Sequence, residues 1–285
     1  MRFFFATTLF LSACAGQAEA PLTPAASVYE SAPTEDAAEE NVEDEPLTVL
    51  LIGLDRDTGA QRADAILLVR INGEREHAAI MSIHRDTWVA IPGHGDAKIN
   101  AAYADGGAEL LADTVDMLYS ARIDHTVAVD FDAFVTLSEM LGPITVSTSA
   151  GTVELAGDEA LSFVRERSSL PGGDFDRVRR QQAYLAGVAN ALRDANAAER
   201  ARTVAALSEH VTIGDEQTLP LGLLSDDLEM EFFSSTHGGT GWSADGQSIV
   251  LPGDIESLAD AFEGDTVDEW LEMAGAQTLD SRPVR

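Results

Sequence analysis

Five arginines fall within the segment RERSSLPGGDFDRVRRQQ, Arg165 to Gln182, in a chain whose formal net charge is -31. A second ionisable set is more widely spread: Asp55, Arg62, Asp64 and Arg85. Arginine presents a planar fork of donors that engages phosphate oxygens two at a time. Magnesium is commonly bound through one or two carboxylates plus substrate phosphate oxygens, keeping several waters. Carboxylates and arginines together therefore suit a ligand that brings both metal and negative charge. The reaction class is phosphoryl transfer, in which positioning and charge neutralisation supply most of the catalysis. The plainer account pairs Asp55 and Asp64 with Arg62 and Arg85 in surface salt bridges at strand ends, worth at most about 1 kcal/mol each. The chain contains no G-x-S-x-G elbow, no H-E-x-x-H and no Walker loop.

The elements that must position these residues can be read from hydrophobic period. LTVLLIGL (Leu47 to Leu54), AILLVRI (Ala65 to Ile71) and HAAIMSI (His77 to Ile83) are apolar runs of strand length, the last two separated by an Asn72-Gly73 turn signal. Tight antiparallel connections would put the end of the first, the start of the second and the end of the third on one sheet edge. Asp55, Arg62, Asp64 and the HRD of His84 to Asp86 all fall there. Helical spacing follows in Gly107 to Ser120 and Phe131 to Leu141, with strands at His125 to Asp130 and Ile144 to Ser149, a pattern that implies an α/β sheet with helices on its faces.

A helix starting at Gly157 is predicted to end near Val164, so that Arg165 and Arg167, in extended chain, turn to one side. The next helix takes Asp174 as N-cap and Val178, Leu185, Val188 and Leu192 as its buried stripe, with Arg177 and Gln181 together on one flank. Arg179 and Arg180 are read as a solvated face. His210 to Phe233 suggests an additional helix or two, and the segment from Gly239 a hairpin followed by a helix that covers the sheet.

The chain begins with one Arg and an apolar run suited to a signal-peptide core, within which LSAC at Leu11 to Cys14 has the form of a lipobox. Cys14 is the sole cysteine, so lipidation accounts for its presence; the alternative is secretion after cleavage at AEA, Ala18 to Ala20. Residues 1–20 are thus read as a signal segment, 21–46 as a disordered acidic linker, 47–275 as the folded domain and 276–285 as a tail. Either route places the protein outside the cytoplasm. Lys98 is the only lysine, and the strong negative charge opposes binding to nucleic acid.

With these pieces assembled, the chain resembles the LytR-CpsA-Psr family of bacterial envelope proteins. The resemblance rests on LLIGLD, RADAILLV, MSIHRDTWVAIPGHGDAKINAAYADGG, DHTVAVDFDAFVTLSEMLGPITV and GDEALSFVRERSSLPGGDFDRVRRQQ, in family order. It implies an α/β/α sandwich with a central mixed sheet and a hydrophobic groove or tunnel for a polyprenyl lipid. The implied activity is Mg²⁺-dependent transfer of a glycopolymer from a polyprenyl-pyrophosphate carrier to a peptidoglycan acceptor through a phosphodiester link, with the protein tethered to the membrane by its lipid anchor. A non-catalytic polyprenyl-phosphate-binding regulator and a polyprenyl-pyrophosphate hydrolase are the alternatives. By matched position, Asp55 and Asp64 would hold Mg²⁺, Arg62, Arg85, Arg165, Arg167 and Arg177 with Gln181 would grip the pyrophosphate, and Lys98 would face the head group. Asp64, beside Arg62 and Arg85, is also a general-base candidate for the acceptor hydroxyl, though a carboxylate on magnesium is a weak base. The chain departs from the family in reading RADA at Arg62 to Ala65 for R-S-D-T, and SIHRD at Ser82 to Asp86 for S-I-P-R-D, where His84 is expected to pack in the loop.

Overall fold

A computed structural model describes residues 45–54, 62–207, 210–213, 228–235, 237–274 and 276–285. They belong to the unit Asn41–Arg285. The signal segment with Cys14, the linker up to residue 44, and Asp55 lie outside the described residues.

The first three apolar runs form β1 (Leu47–Leu54), β2 (Ala63–Ile71) and β3 (His77–Ile83), paired antiparallel as a meander. The β2–β3 turn hangs on Asn72, whose Oδ1 accepts from the Glu76 and His77 amides at 3.0 Å each. The left-handed residue is Arg75, at φ 59, rather than Gly73. A small hairpin, β4 (Trp88–Ile91) with β5 (Gly95–Lys98), leads into α1 (Ile99–Tyr119). This helix begins eight residues earlier than the sequence pattern suggests, because Gly106 and Gly107 (φ 69) interrupt it in mid-course rather than opening it.

β6 (His125–Asp130) lies parallel to β1, then α2 (Asp132–Leu141) crosses the sheet. β7 (Ile144–Thr148) pairs with β8 (Gly151–Leu155) in a separate two-stranded sheet. α3 (Gly157–Arg165), α4 (Asp174–Asp194) and α5 (Ala197–Leu207) follow. The described parts of the His210 to Phe233 segment are strands rather than the expected helices: β9 (Val211–Ile213) pairs with β6, and β10 (Glu229–Ser234) with β3. β-Branched Val-Thr-Ile suits the one, and adjacent Phe232 and Phe233, which pack into opposite faces of the sheet, require period two in the other. The expected hairpin is β11 (His237–Trp242) with β12 (Ser248–Pro252), followed by α6 (Ile255–Glu263) and α7 (Val267–Ala274).

The central sheet is mixed, in the order β10-β3-β2-β1-β6-β9. Alternation along each strand feeds two cores. Leu50, Ile52, Ile66, Leu68, Met81 and Ile83 face α1, α6 and α7, while Ala65, Leu67 and Ile80 face Phe131 and the α3–α4 layer. Leu50 and Ile52 are fully buried, and truncating either to Ala costs about 2–5 kcal/mol. With both faces covered, the polar groups of the β1, β2, β3 and β6 ends have only the sheet edge to occupy. Residues 276–285 are bound to this frame: Leu279 N–H donates to the Phe232 carbonyl at 2.7 Å, and Val284 is buried beside β7 and α4.

Candidate functional site

At that edge, Asp64 is the second residue of β2 and Arg85 the second after β3. Arg85 Nη1 pairs with Asp64 Oδ1, and its Nη2 lies 3.2 Å from Asp174 Oδ1. From α4, Arg177 Nη2 lies 2.8 Å from the same Asp174 oxygen and donates to the Asp64 carbonyl at 3.3 Å. Asp64 and Asp174 thus bind β2, the loop after β3 and the start of α4 into one network of alternating charge.

Asp174 does not cap α4. The N-cap is Gly173, at φ 57, and Asp174 is the first helical residue, its carboxylate directed to Arg85, Arg177 and His84. Burial alone would raise its pKa, but the His84 hydrogen bond and the Arg177 and Arg85 charges outweigh that and hold it down at about 2. Arg85 is opposed by its own burial, yet Asp174 and Asp64 push its pKa upward. Arg177 goes the other way, because burial and the neighbouring charges of Arg85 and Arg167 together exceed the pull of Asp174 and Asp64.

His84 packs in the loop as expected, and it also joins this network. Its ring packs against Phe175, tilted at 37° with 4.6 Å between centroids, and Nδ1 accepts the Asp86 amide at 3.2 Å. That bond leaves the ring proton on Nε2, 3.1 Å from Asp174 Oδ2. Ligand atoms of His84, Asp86 and Asp174 lie within 4.8 Å of one another, a spacing that a metal ion could use. A protonated Nε2 is no ligand, and Arg85, Arg177 and Lys98 already supply the opposing charge; the geometry is that of an ion-pair network. Lys98 reaches it through Asp86, at 2.9 Å.

The remaining expected residues divide. α3 ends at Arg165, one residue beyond expectation, and Glu166 is extended (φ -63, ψ 131). Arg165 lies over the Phe131 ring at 5.7 Å, and Arg167 is exposed, close enough for its charge to bear on Arg177. Arg62 is exposed just before β2, with no ion pair to the network among the described residues. The buried stripe of α4 is rotated from the expected one: Arg177, Gln181, Tyr184 and Val188 are buried, whereas Val178, Leu185 and Leu192 are only partly so. Gln181 donates Nε2 to the Val164 carbonyl at 3.3 Å, which fixes the end of α3 and so the place of Arg165.

Arg179 and Arg180 are not a solvated face. Arg179 is buried and donates to the carbonyls of Thr278 (3.3 Å), Leu279 (2.7 Å) and Arg282. Arg180 donates to the Arg285 carbonyl and stacks on Phe163 at 4.5 Å. Their partners lie about a hundred residues away in sequence, beyond the reach of helical period. Sequence reasoning also gave Asp174 only a capping role, although an Asp three residues before Arg177 on a helix was a usable sign of pairing.

Among the described residues no helix is long and apolar enough to cross a membrane. The polyisoprenyl-teichoic acid–peptidoglycan teichoic acid transferase TagU of Bacillus licheniformis is 35% identical over 159 residues, 51% of this chain and 52% of that protein. The chain spans about half the length of the curated relatives it matches. The crystal structure of B. subtilis TagV superposes with a TM-score of 0.66 at 25% identity, covering 79% of this chain and 98% of that one. TagT bound to LIIa-WTA gives the same TM-score at 24% identity, covering 79% and 92%, a likeness of fold alone. The LytR-CpsA-Psr family profile matches residues 20–214, and the chain belongs to that family.

Proposed function

We propose that this protein is an extracytoplasmic phosphotransferase that moves a glycopolymer from a polyprenyl-pyrophosphate carrier to peptidoglycan, leaving a phosphodiester link and releasing polyprenyl phosphate. The observation that carries the reading is the convergence of Arg85 and Arg177 on one sheet edge, with Arg167 close enough for its charge to bear on Arg177, in a chain of net charge -31. An anion of high charge is repelled by most of this surface, and here it meets several guanidiniums. The likeness to TagU supports the choice of reaction.

Magnesium fits what is described of the site. Asp64 turns Oδ1 to Arg85, and its other oxygen has no partner among the described residues, a hard donor of the kind Mg²⁺ takes beside phosphate oxygens. Asp64 and Asp55 would hold the ion, which neutralises charge as it develops on the pyrophosphate. Arg85 and Arg177 would take pyrophosphate oxygens in bidentate fashion, held in advance by Asp64 and Asp174 so that little side-chain entropy remains to be lost. Arg165 and Arg167 would close the opposite side, with Arg62 and Lys98 at the rim toward the sugar. The polyprenyl chain is proposed to run along the apolar side chains between the sheet and α2–α4, and Cys14 to anchor the protein in the membrane.

The test compares wild type with Asp64→Ala and Arg167→Ala on a polyprenyl-pyrophosphate glycan with magnesium. The reading expects loss of the phosphate-linked product in both variants while circular dichroism and melting show the fold retained. Wild-type rates in both would overturn it.

A further inference from the structure

The proposed transfer needs a place for the acceptor saccharide beside the arginine network, and the β11–β12 hairpin is bound to that network at two points. Val250 N–H, on β12, donates to the Asp86 carbonyl at 2.9 Å, in the loop that carries Arg85, and Thr87 bridges to Val250. At the start of β11 the His237 ring lies 5.2 Å from that of Phe175. Phe175 packs in turn on His84 and follows Asp174, the residue that holds Arg85 and Arg177.

The hairpin differs in composition from the rest of this acidic chain. From Ser234 to Gly253 the sole Asp, Glu, Lys or Arg is Asp245, where a charged fraction of 24% would put about five. Asp245 stands in the turn, its carboxylate taken by Ser243 Oγ and by Gln247 Nε2 at 2.6 Å. Trp242 pairs with Ser248 and Thr240 with Val250. The strand period of two therefore puts Thr240, Trp242 and Ser248 on one face, and all three are exposed, Trp242 to 76%. Trp242 is about 7 Å along and one strand, about 5 Å, across from Val250 and its bond to Asp86. Phe175, 36% exposed, marks the other end of β11, about 15 Å from Trp242 at the usual rise per strand residue.

An anionic head group would find no cation on this face. A protein partner would find one indole amid glycines and hydroxyls rather than a contiguous apolar patch. A pyranose carries no charge; its C–H face packs on an aromatic ring and its rim of hydroxyls pairs with Ser and Thr. We propose that the open face of the hairpin, with Trp242 as stacking ring and Thr240 and Ser248 as hydrogen-bonding groups, holds the peptidoglycan glycan strand that supplies the acceptor hydroxyl. The strand runs along β11 and reaches the arginine network at Phe175. This rests on the transfer reading above for the identity of the saccharide. The separation of the two aromatic groups calls for an oligosaccharide rather than a single sugar.

The test titrates the full chain calorimetrically with a peptidoglycan disaccharide and with a longer peptidoglycan oligosaccharide. Wild type should bind the longer one more tightly. Trp242→Ala should weaken the longer saccharide by about 10-fold and the disaccharide little, so that the preference for length is lost. Trp242→Phe should recover most of the loss. In transfer from a polyprenyl-pyrophosphate glycan, Trp242→Ala should raise the KM of the longer acceptor by the same factor while affinity for the donor stays that of wild type. Equal titration curves for wild type and Trp242→Ala overturn the platform. It is overturned equally if Trp242→Ala loses binding to phosphatidylcholine vesicles and keeps that to the saccharide, which would make the indole a membrane contact. Length-dependent saccharide binding by a wild type that performs no transfer keeps the platform and overturns the transfer reading alone.

Discussion

Asp174→Asn removes one negative charge from between Arg85, Arg177 and His84 while keeping the side chain's shape. The Asp174 pKa lies at about 2 in the fold against an ordinary 3.8. At ~1.4 kcal/mol per pKa unit, that gap is worth about 2 kcal/mol of folding stability at neutral pH. Asp174 is mostly buried, its side chain 15% exposed, so solvent screening takes little from this figure. Because the folded-state pKa is the lower one, the contribution is complete above the unfolded value and is lost as pH falls through 4 toward 2. The assay is urea denaturation of wild type and Asp174→Asn at constant ionic strength. Wild type should be more stable at pH 7 by roughly 2–4 kcal/mol, the upper figure including the penalty for leaving a buried guanidinium unpaired. The difference should shrink by about 1 kcal/mol at pH 3 and further below that. An equal difference at pH 7 and pH 3 would refute the reasoning, since it would mean that Asp174 titrates alike in the folded and unfolded chain.

Two further outcomes follow from packing. Arg179→Met removes the donors to Thr278, Leu279 and Arg282 and should cost about 1–3 kcal/mol, with faster hydrogen exchange confined to residues 276–285; unchanged protection there would show that Arg179 does not hold the segment. In Gly187→Ala the new Cβ would meet the Thr145 carbonyl oxygen at 2.6 Å and Ile144 Cγ2 at 2.8 Å, forcing α4 from β7, so a loss of about 1–3 kcal/mol is expected in thermal melts. A neutral substitution would mean that the helix and hairpin adjust freely.

What could be read from the sequence was whatever local pattern governs. β1, β3 and β6 have the boundaries expected of them, while β2 begins two residues before its apolar run, at Ala63, so that Asp64 lies within the strand; the edge that gathers Asp64 and Arg85 followed. β7 was legible, but its partner β8 and the short hairpin β4–β5 carry too few apolar residues for a period to show. β10 has one phenylalanine for each face, which a search for helical spacing passes over. Arg179 and Arg180 differ from the solvated face their helical positions suggest because their partners are carbonyls of a distant segment, and a carbonyl leaves no mark in sequence. His84 was visible as a departure from the family's proline, and its role became apparent only once α4 set Asp174 against it.

The central claim is that this edge transfers a phosphorylated glycan and does not merely hold a lipid. The most direct measurement is incubation of the purified full chain with a polyprenyl-pyrophosphate glycan and peptidoglycan oligosaccharide, with and without magnesium, followed by mass spectrometry of both lipid and saccharide products. The account predicts polyprenyl monophosphate and a phosphodiester-linked glycan–peptidoglycan product in equal amounts, dependent on magnesium and absent in Asp64→Ala. Lipid that remains bound and unchanged, with no linked product under any condition, would contradict it.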